Sequence, residues 1–81
     1  MKRIDQDVDI SDLYLSELPE FLSGLHVNGS FFCSHNQLTS LQGAPKSVDG
    51  NFYCGSNPIK FTEEQVRSVC DVRGTVFVRG G

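Results

Sequence analysis

No stretch of this chain reaches the roughly 18 to 20 consecutive apolar residues that a membrane-spanning helix needs. Its first residues, Met1-Lys2-Arg3, pass straight into acidic, strand-like sequence, so no secretory signal peptide is expected. Basic residues are scattered: the 7 Lys and Arg form no run, and a net charge of −3 offers no basic face for nucleic acid. Ten carboxylates in 81 residues are too sparse for a mimic of DNA. Three cysteines, an odd number, fit no closed disulfide framework and are expected to be reduced structural thiols in a cytoplasm. Neither C-x-x-C nor H-x-x-x-H spacing occurs, which leaves no zinc motif. Asp5, Asp7, Asp9 and Asp12 lack the glycine and glutamate of a calcium loop. Alternate aspartates of this kind discourage pairing at the edge of a sheet. There is no phosphate-cradling glycine loop either, because Gly29, Gly50 and Gly74 recur singly. No metal, cofactor or membrane association is therefore expected.

Eighty-one residues make a single domain, 1–81. A chain this short buries only roughly 60% of its unfolded surface, which leaves little material for an elaborate active site. Within it one pattern recurs: Val-x-Gly-x-apolar-aromatic-apolar. Val27-Asn28-Gly29-Ser30-Phe31-Phe32-Cys33 returns as Val48-Asp49-Gly50-Asn51-Phe52-Tyr53-Cys54 and as Val72-Arg73-Gly74-Thr75-Val76-Phe77-Val78. A looser copy, Ile4-Asp5-Gln6-Asp7-Val8-Asp9-Ile10, precedes them, and the steps are 23, 21 and 24 residues. Such a period marks a solenoid, whose units bury their apolar faces by stacking on one another. The copies divide the chain at about 4–26, 27–47, 48–71 and 72–81.

After each strand the copies continue alike. Phe31-Phe32-Cys33-Ser34-His35-Asn36-Gln37-Leu38-Thr39-Ser40-Leu41 and Phe52-Tyr53-Cys54-Gly55-Ser56-Asn57-Pro58-Ile59 share an Asn and a following aliphatic residue, whereas the first copy has Leu13 in place of Asn. The linkers around Pro19 and Pro45 carry Pro and Gly and read as turns and extended segments. The third linker differs. Thr62 is a good N-cap, Gln65 completes a capping box, and Glu63 and Glu64 suit the first turn of a helix. Phe61 and Val66 are spaced as a hydrophobic staple, and Val66, Val69 and Cys70 form a narrow apolar face, so a helix over about 62–70 is expected to cover the last copy.

The run from Phe31 to Leu41 resembles the leucine-rich repeat, L-x-x-L-x-L-x-x-N-x-L, which implies a ladder of parallel strands whose asparagines bond the turn backbone of adjacent copies. Leu38-Thr39-Ser40-Leu41-Gln42-Gly43-Ala44-Pro45, taken with Val-x-Gly-x-Phe-x-Cys and Asn, is similar to short repeat proteins of tailed bacteriophages built on L-T-S-L-x-G-A-P-x-x-V-x-G-x-F-x-C-x-x-N. That similarity spans residues 27–78 and implies a phage product acting in the cytoplasm of an infected bacterium. The expected architecture is α+β, a leucine-rich-repeat-like stack of about four short parallel strands with one C-terminal capping helix.

Side chains alternate along a strand. If Phe31, Cys33, Phe52, Cys54, Val76 and Val78 point inward, then Asp9, Phe32, Tyr53 and Phe77 form an outward row. Asp7, Ser30, Asn51 and Thr75 flank it on one side, and Ser11, Ser34, Gly55 and Arg79 on the other. Exposed aromatics are costly unless covered and are favoured interface anchors. Partner binding is therefore expected to centre on Phe32, Tyr53 and Phe77, with Asp9, Ser34, Asn51 and Arg79 around them. The rings stacking on one another, or meeting a second copy of the chain, are the alternatives. Stacking of single-stranded bases is a weaker option, lacking a basic groove. A Cys-His pair at Cys33 and His35 would need an exposed, electropositive thiol, and an inward Cys33 does not offer one. The sequence thus points to a non-enzymatic binding module, with a homo-oligomeric assembly protein as the alternative; the resemblance to phage proteins implies a bacterial host protein, such as a defence protein, as the partner.

Overall fold

Every copy of the recurring pattern folds as two short strands with a bend between them, at Gly29, Gly50 and Gly74 in three copies and at Gln6 in the first. The computed structural model describes residues 2–79, so the expected outer bounds at 1 and 81 lie outside the described residues. The strands are β1 (Lys2–Ile4), β2 (Val8–Asp9), β3 (Leu25–Val27), β4 (Phe31–Phe32), β5 (Ser47–Val48), β6 (Phe52–Tyr53), β7 (Asp71–Val72) and β8 (Val76–Phe77). They form two four-stranded parallel sheets, β1-β3-β5-β7 and β2-β4-β6-β8. A single ladder was expected; the residues around the Val of each copy supply the second. The reason is local. The pattern bends at its second and third residues, so the apolar residues on the two sides of the bend face the core from two separate strands.

Register follows the sequence period. Lys2 pairs with Leu25 and Val8 with Phe31, His26 with Ser47 and Phe31 with Phe52, Ser47 with Asp71 and Phe52 with Val76. Equivalent residues therefore lie side by side. Val27, Phe31, Cys33, Leu38, Val48, Phe52 and Cys54 fill one core between the sheets and the linkers, each at most 1% exposed. The linkers are a 3₁₀ turn at Glu20–Leu22 and extended segments joined by an antiparallel bridge between Ser23 and Pro45.

The helix, α1 (Glu63–Val69), has the expected capping box. The Gln65 amide donates to Thr62 Oγ1 at 3.1 Å, and the Thr62 amide donates to Gln65 Oε1 at 2.8 Å. Phe61, Val66 and Cys70 are buried, but Val69 is 44% exposed. The expected three-residue apolar face is narrower by one, because a two-turn helix against a small core buries only one line of side chains.

Two kinds of side chain join the copies. Asn36, 6% exposed, lies under the preceding copy: its Oδ1 accepts from the Leu13 and Leu15 amides at 3.1 and 3.0 Å. Its Nδ2 donates to the carbonyls of Ile10 at 2.9 Å and Cys33 at 3.2 Å. Asn57 repeats this toward the Leu38 amide and the Cys33 and Cys54 carbonyls. The glycines act by absence of a side chain. A Cβ on Gly29 would lie 2.6 Å from Asp7 Oδ1 and 2.8 Å from the Gln6 backbone, and one on Gly50 would lie 2.5 Å from Ser30 Oγ and 2.9 Å from the Gly29 carbonyl oxygen. Neither glycine has a left-handed φ. The demand is close approach between neighbouring copies, not a special turn.

The last strand of the first sheet is closed by a side chain. At inner positions the carbonyls of Val27 and Val48 accept from the amides of Asp49 and Arg73, and those of Gly29 and Gly50 from Gly50 and Gly74. On β7 and the bend after it, the Val72 and Gly74 carbonyls accept instead from Arg67 Nη1 at 2.7 Å and Nη2 at 3.1 Å. Glu63 Oε2 holds the same guanidinium through Nε at 2.8 Å. One arginine thus supplies the two donors that a following strand would have brought.

Candidate functional site

Parallel in-register pairing puts equivalent side chains one above another, close to the strand spacing of about 4.8 Å. On the outer face of β2-β4-β6-β8 this aligns Asp9, Phe32, Tyr53 and Phe77. The Phe32 and Tyr53 rings stack with centroids 4.5 Å apart and planes 5° from parallel, and Tyr53 and Phe77 at 4.7 Å and 4°. The inward pair Phe31–Phe52 is tilted instead, 58° at 5.1 Å, as core packing requires. Each inner ring covers its neighbour's face, so Phe32 and Tyr53 are half-buried and turn their edges outward. Phe77, on the last strand, is 43% exposed. The alternative in which the rings stack on one another is therefore realised in part. Such pairs contribute about 0.5–1.5 kcal/mol each beyond their burial.

The flank of the row is committed to structure. Asp7 Oδ1 accepts from the Ser30 amide at 2.7 Å, Ser30 Oγ from the Asn51 amide at 3.1 Å, and Asn51 Oδ1 from the Thr75 amide at 2.9 Å. Asn51 Nδ2 also donates to the Tyr53 hydroxyl at 3.1 Å, which fixes the ring at the centre of the row. Asn51 was expected as a contact residue; its polar atoms are engaged within the protein. Asp9 is exposed and accepts from the Ser11 amide at 2.9 Å. Ser34 is half-buried, with its carbonyl accepting from the Asp12 amide at 3.3 Å and from Asn36 Nδ2 at 3.3 Å. Arg79 is exposed beyond the end of β8 and lines a depression together with Ile59, Lys60, Phe61 and Val78. His35 lies in the turn after β4, with φ 56°, and its counterparts Asp12 and Ser56 have φ 58° and 55°. Arg3 and Asn28 bond the Asp5 carboxylate and hold its pKa below the usual range.

One cluster escaped the sequence reading. His26 on β3 bonds Ser47 Oγ through Nδ1, and its Nε2 lies 3.4 Å from Asp49 Oδ2. Arg73 Nε reaches Asp49 Oδ1 at 3.8 Å. The three residue types resemble a hydrolytic triad. The depressions lined by Ile59 and Phe61, by Glu64 and Arg67, and by Leu18 and Thr39 lie elsewhere on the molecule and involve none of the three. The register pairing of His26 with Ser47 could have been found from the repeat by aligning residues before each Val.

All three cysteines are free and buried. Burial pushes the thiols of Cys54 and Cys70 up to about 11 and about 12, and raises Cys33 further. They stay protonated near neutral pH, the opposite of an activated nucleophile. Among the described residues no group of His, Cys, Asp and Glu is arranged to hold a metal ion, and no helix is long and apolar enough to cross a membrane. Compared with protein-family models, curated proteins and solved structures, the chain matches none.

Proposed function

We propose that the chain is a leucine-rich-repeat-like solenoid serving as a non-enzymatic protein-binding module. In this reading it is a small phage protein that engages a bacterial host protein in the cytoplasm of the infected cell and inhibits or redirects it, a defence protein being the favoured target. The phage assignment rests on the resemblance of residues 27–78 to phage repeat units. The binding assignment rests on one observation, the in-register row of Phe32, Tyr53 and Phe77 on an outer sheet face. Mutual stacking holds these rings rigid, so a partner meeting their outward edges orders few side chains on binding. Aromatic anchors of this kind dominate interface energetics.

The test is affinity capture from bacterial lysate with the wild-type chain and with the Phe32→Ala plus Tyr53→Ala variant. A single host protein retained by the first and lost by the second, with the circular dichroism spectrum unchanged, is the expected result. Undiminished capture by the variant would place the contact elsewhere. Recovery of the chain alone, sedimenting as a dimer, would turn the row into a self-association surface. Assembly through the ends of the sheets is disfavoured by Gln6, which carries a side chain where later copies need glycine, and by Arg67, which occupies the acceptors of β7.

A further inference from the structure

The two sheets end differently after the fourth copy. In the β2-β4-β6-β8 sheet, paired amides of each strand point to the next one. Val8 and Ile10 donate to the Ser30 and Phe32 carbonyls, Phe31 and Cys33 to those of Asn51 and Tyr53, and Phe52 and Cys54 to those of Thr75 and Phe77, all at 2.8–3.0 Å. The equivalent amides at the end belong to Val76 and Val78. β8 is the last strand of its sheet, and among the described residues no backbone carbonyl accepts from either amide. The neighbouring β7 edge has Arg67 in place of a following strand; β8 has no such side chain among the described residues. A sheet edge with free donors is a template for an added strand.

We propose that the β8 edge takes up an extended, acidic segment of a partner protein as an additional parallel strand, a proposal that rests on the protein-binding reading above. Three features meet there. The amides of Val76 and Val78 offer main-chain bonds. The outer face of Phe77 is uncovered at the end of the ring stack, so an aromatic side chain in register with it would continue the 4.5–4.7 Å row. Beyond Val78 the depression carries Lys60 and Arg79, which complement a carboxylate on the incoming strand. Glu63 also lines it, but its carboxylate is bound to Arg67. A second copy of the chain is the poorer occupant although its β2 is acidic. Its Gln6 would have to lie where Gly29 and Gly50 have no room for a Cβ, and Arg67 blocks the β7 half of the contact.

The experiment titrates the full ¹⁵N-labelled chain, up to millimolar peptide, with the capped pentapeptide acetyl-Glu-Val-Tyr-Val-Glu-amide and with its counterpart carrying Gln for both Glu. Saturable downfield shifts of the Val76 and Val78 amide protons, slower exchange of both, and affinity about tenfold weaker for the Gln peptide and for the Lys60→Glu plus Arg79→Glu variant are expected. Saturation that leaves these two amides unmoved, equal affinity for both peptides, or no saturable binding overturns the proposal. Concentration-dependent shifts of the same amides without peptide overturn it in favour of a second copy. The host protein captured through Phe32 and Tyr53 separates the two readings: if it binds while the Val76 and Val78 amides keep their free exchange rates, the face survives and the edge does not.

Discussion

At its first copy the chain places Gln6 and Leu13 where the inner copies have glycine and asparagine, whereas at its last copy it keeps Gly74 and adds Arg67. The difference follows from the direction of the contacts. Glycine and asparagine both face backward: Gly29 lies against Gln6 and Asp7, and Asn36 reaches Ile10, Leu13 and Leu15. Among the described residues nothing lies behind the first copy, so it needs neither. The carbonyls after β3 and β5 face forward, and the last copy must find donors elsewhere, which Arg67 provides. Departures from the repeat at the first copy thus fall at the positions that, among the described residues, have no preceding copy to contact.

The sharpest test sets Gly50 against Gln6. Gly50→Ala forces a Cβ into Ser30 Oγ and the Gly29 backbone, and a loss of about 3 kcal/mol or failure to fold is expected in urea titration. Gln6→Ala should stay within about 0.5 kcal/mol of wild type; similar losses at both positions would break the comparison. Next comes Asn36→Ala. It leaves the Leu13 and Leu15 amides and the Ile10 carbonyl without their side-chain partner, and about 2–3 kcal/mol should be lost. Leu13→Asn, with no preceding copy among the described residues to bond, should gain nothing.

The inner copies also differ from the outer ones in carrying thiols: Cys33 and Cys54 stand where the first and last have Ile10 and Val78. In the unfolded chain these thiols ionise near their ordinary value of 9.0, whereas in the fold Cys54 does so only near 11 and Cys33 higher still. The folded state keeps the protons that the unfolded state releases. Their full contribution is therefore present below about pH 9, and stability should fall from there toward pH 11 by about 1.4 kcal/mol per thiol per pH unit. A flat midpoint of denaturation over that window would mean the thiols are less buried than they are here. The smallest effect is at the other end. Arg67→Ala should cost about 1 kcal/mol, and Arg67→Lys should restore only part, because one ammonium does not span both the Val72 and Gly74 carbonyls. If both variants match wild type, water satisfies that edge and the arginine is incidental.

Much of the fold was legible because it repeats. The spacing of Val27, Val48 and Val72 gave the strand register directly, and Thr62 and Gln65 marked the start of α1 within a residue. The outward row of Phe32, Tyr53 and Phe77 followed from alternation alone. The second sheet did not, since two-residue strands such as Ser47–Val48 are too short to show a period. The mutual covering of the rings, the engagement of Asn51 and the His26–Ser47–Asp49 cluster were hidden for another reason. Each depends on which side chains neighbouring copies bring within bonding distance.

The sequence by itself determined the period, the side-by-side alignment of equivalent residues and the outward aromatic row, because these depend on spacing and alternation along one chain. Only the tertiary structure decided that there are two sheets, that the glycines serve close approach, and that Arg67 closes one edge while β8 stays open among the described residues. These depend on the direction in which amides, carbonyls and side chains point once copies lie against each other, and that direction is set by contacts between residues far apart in the chain.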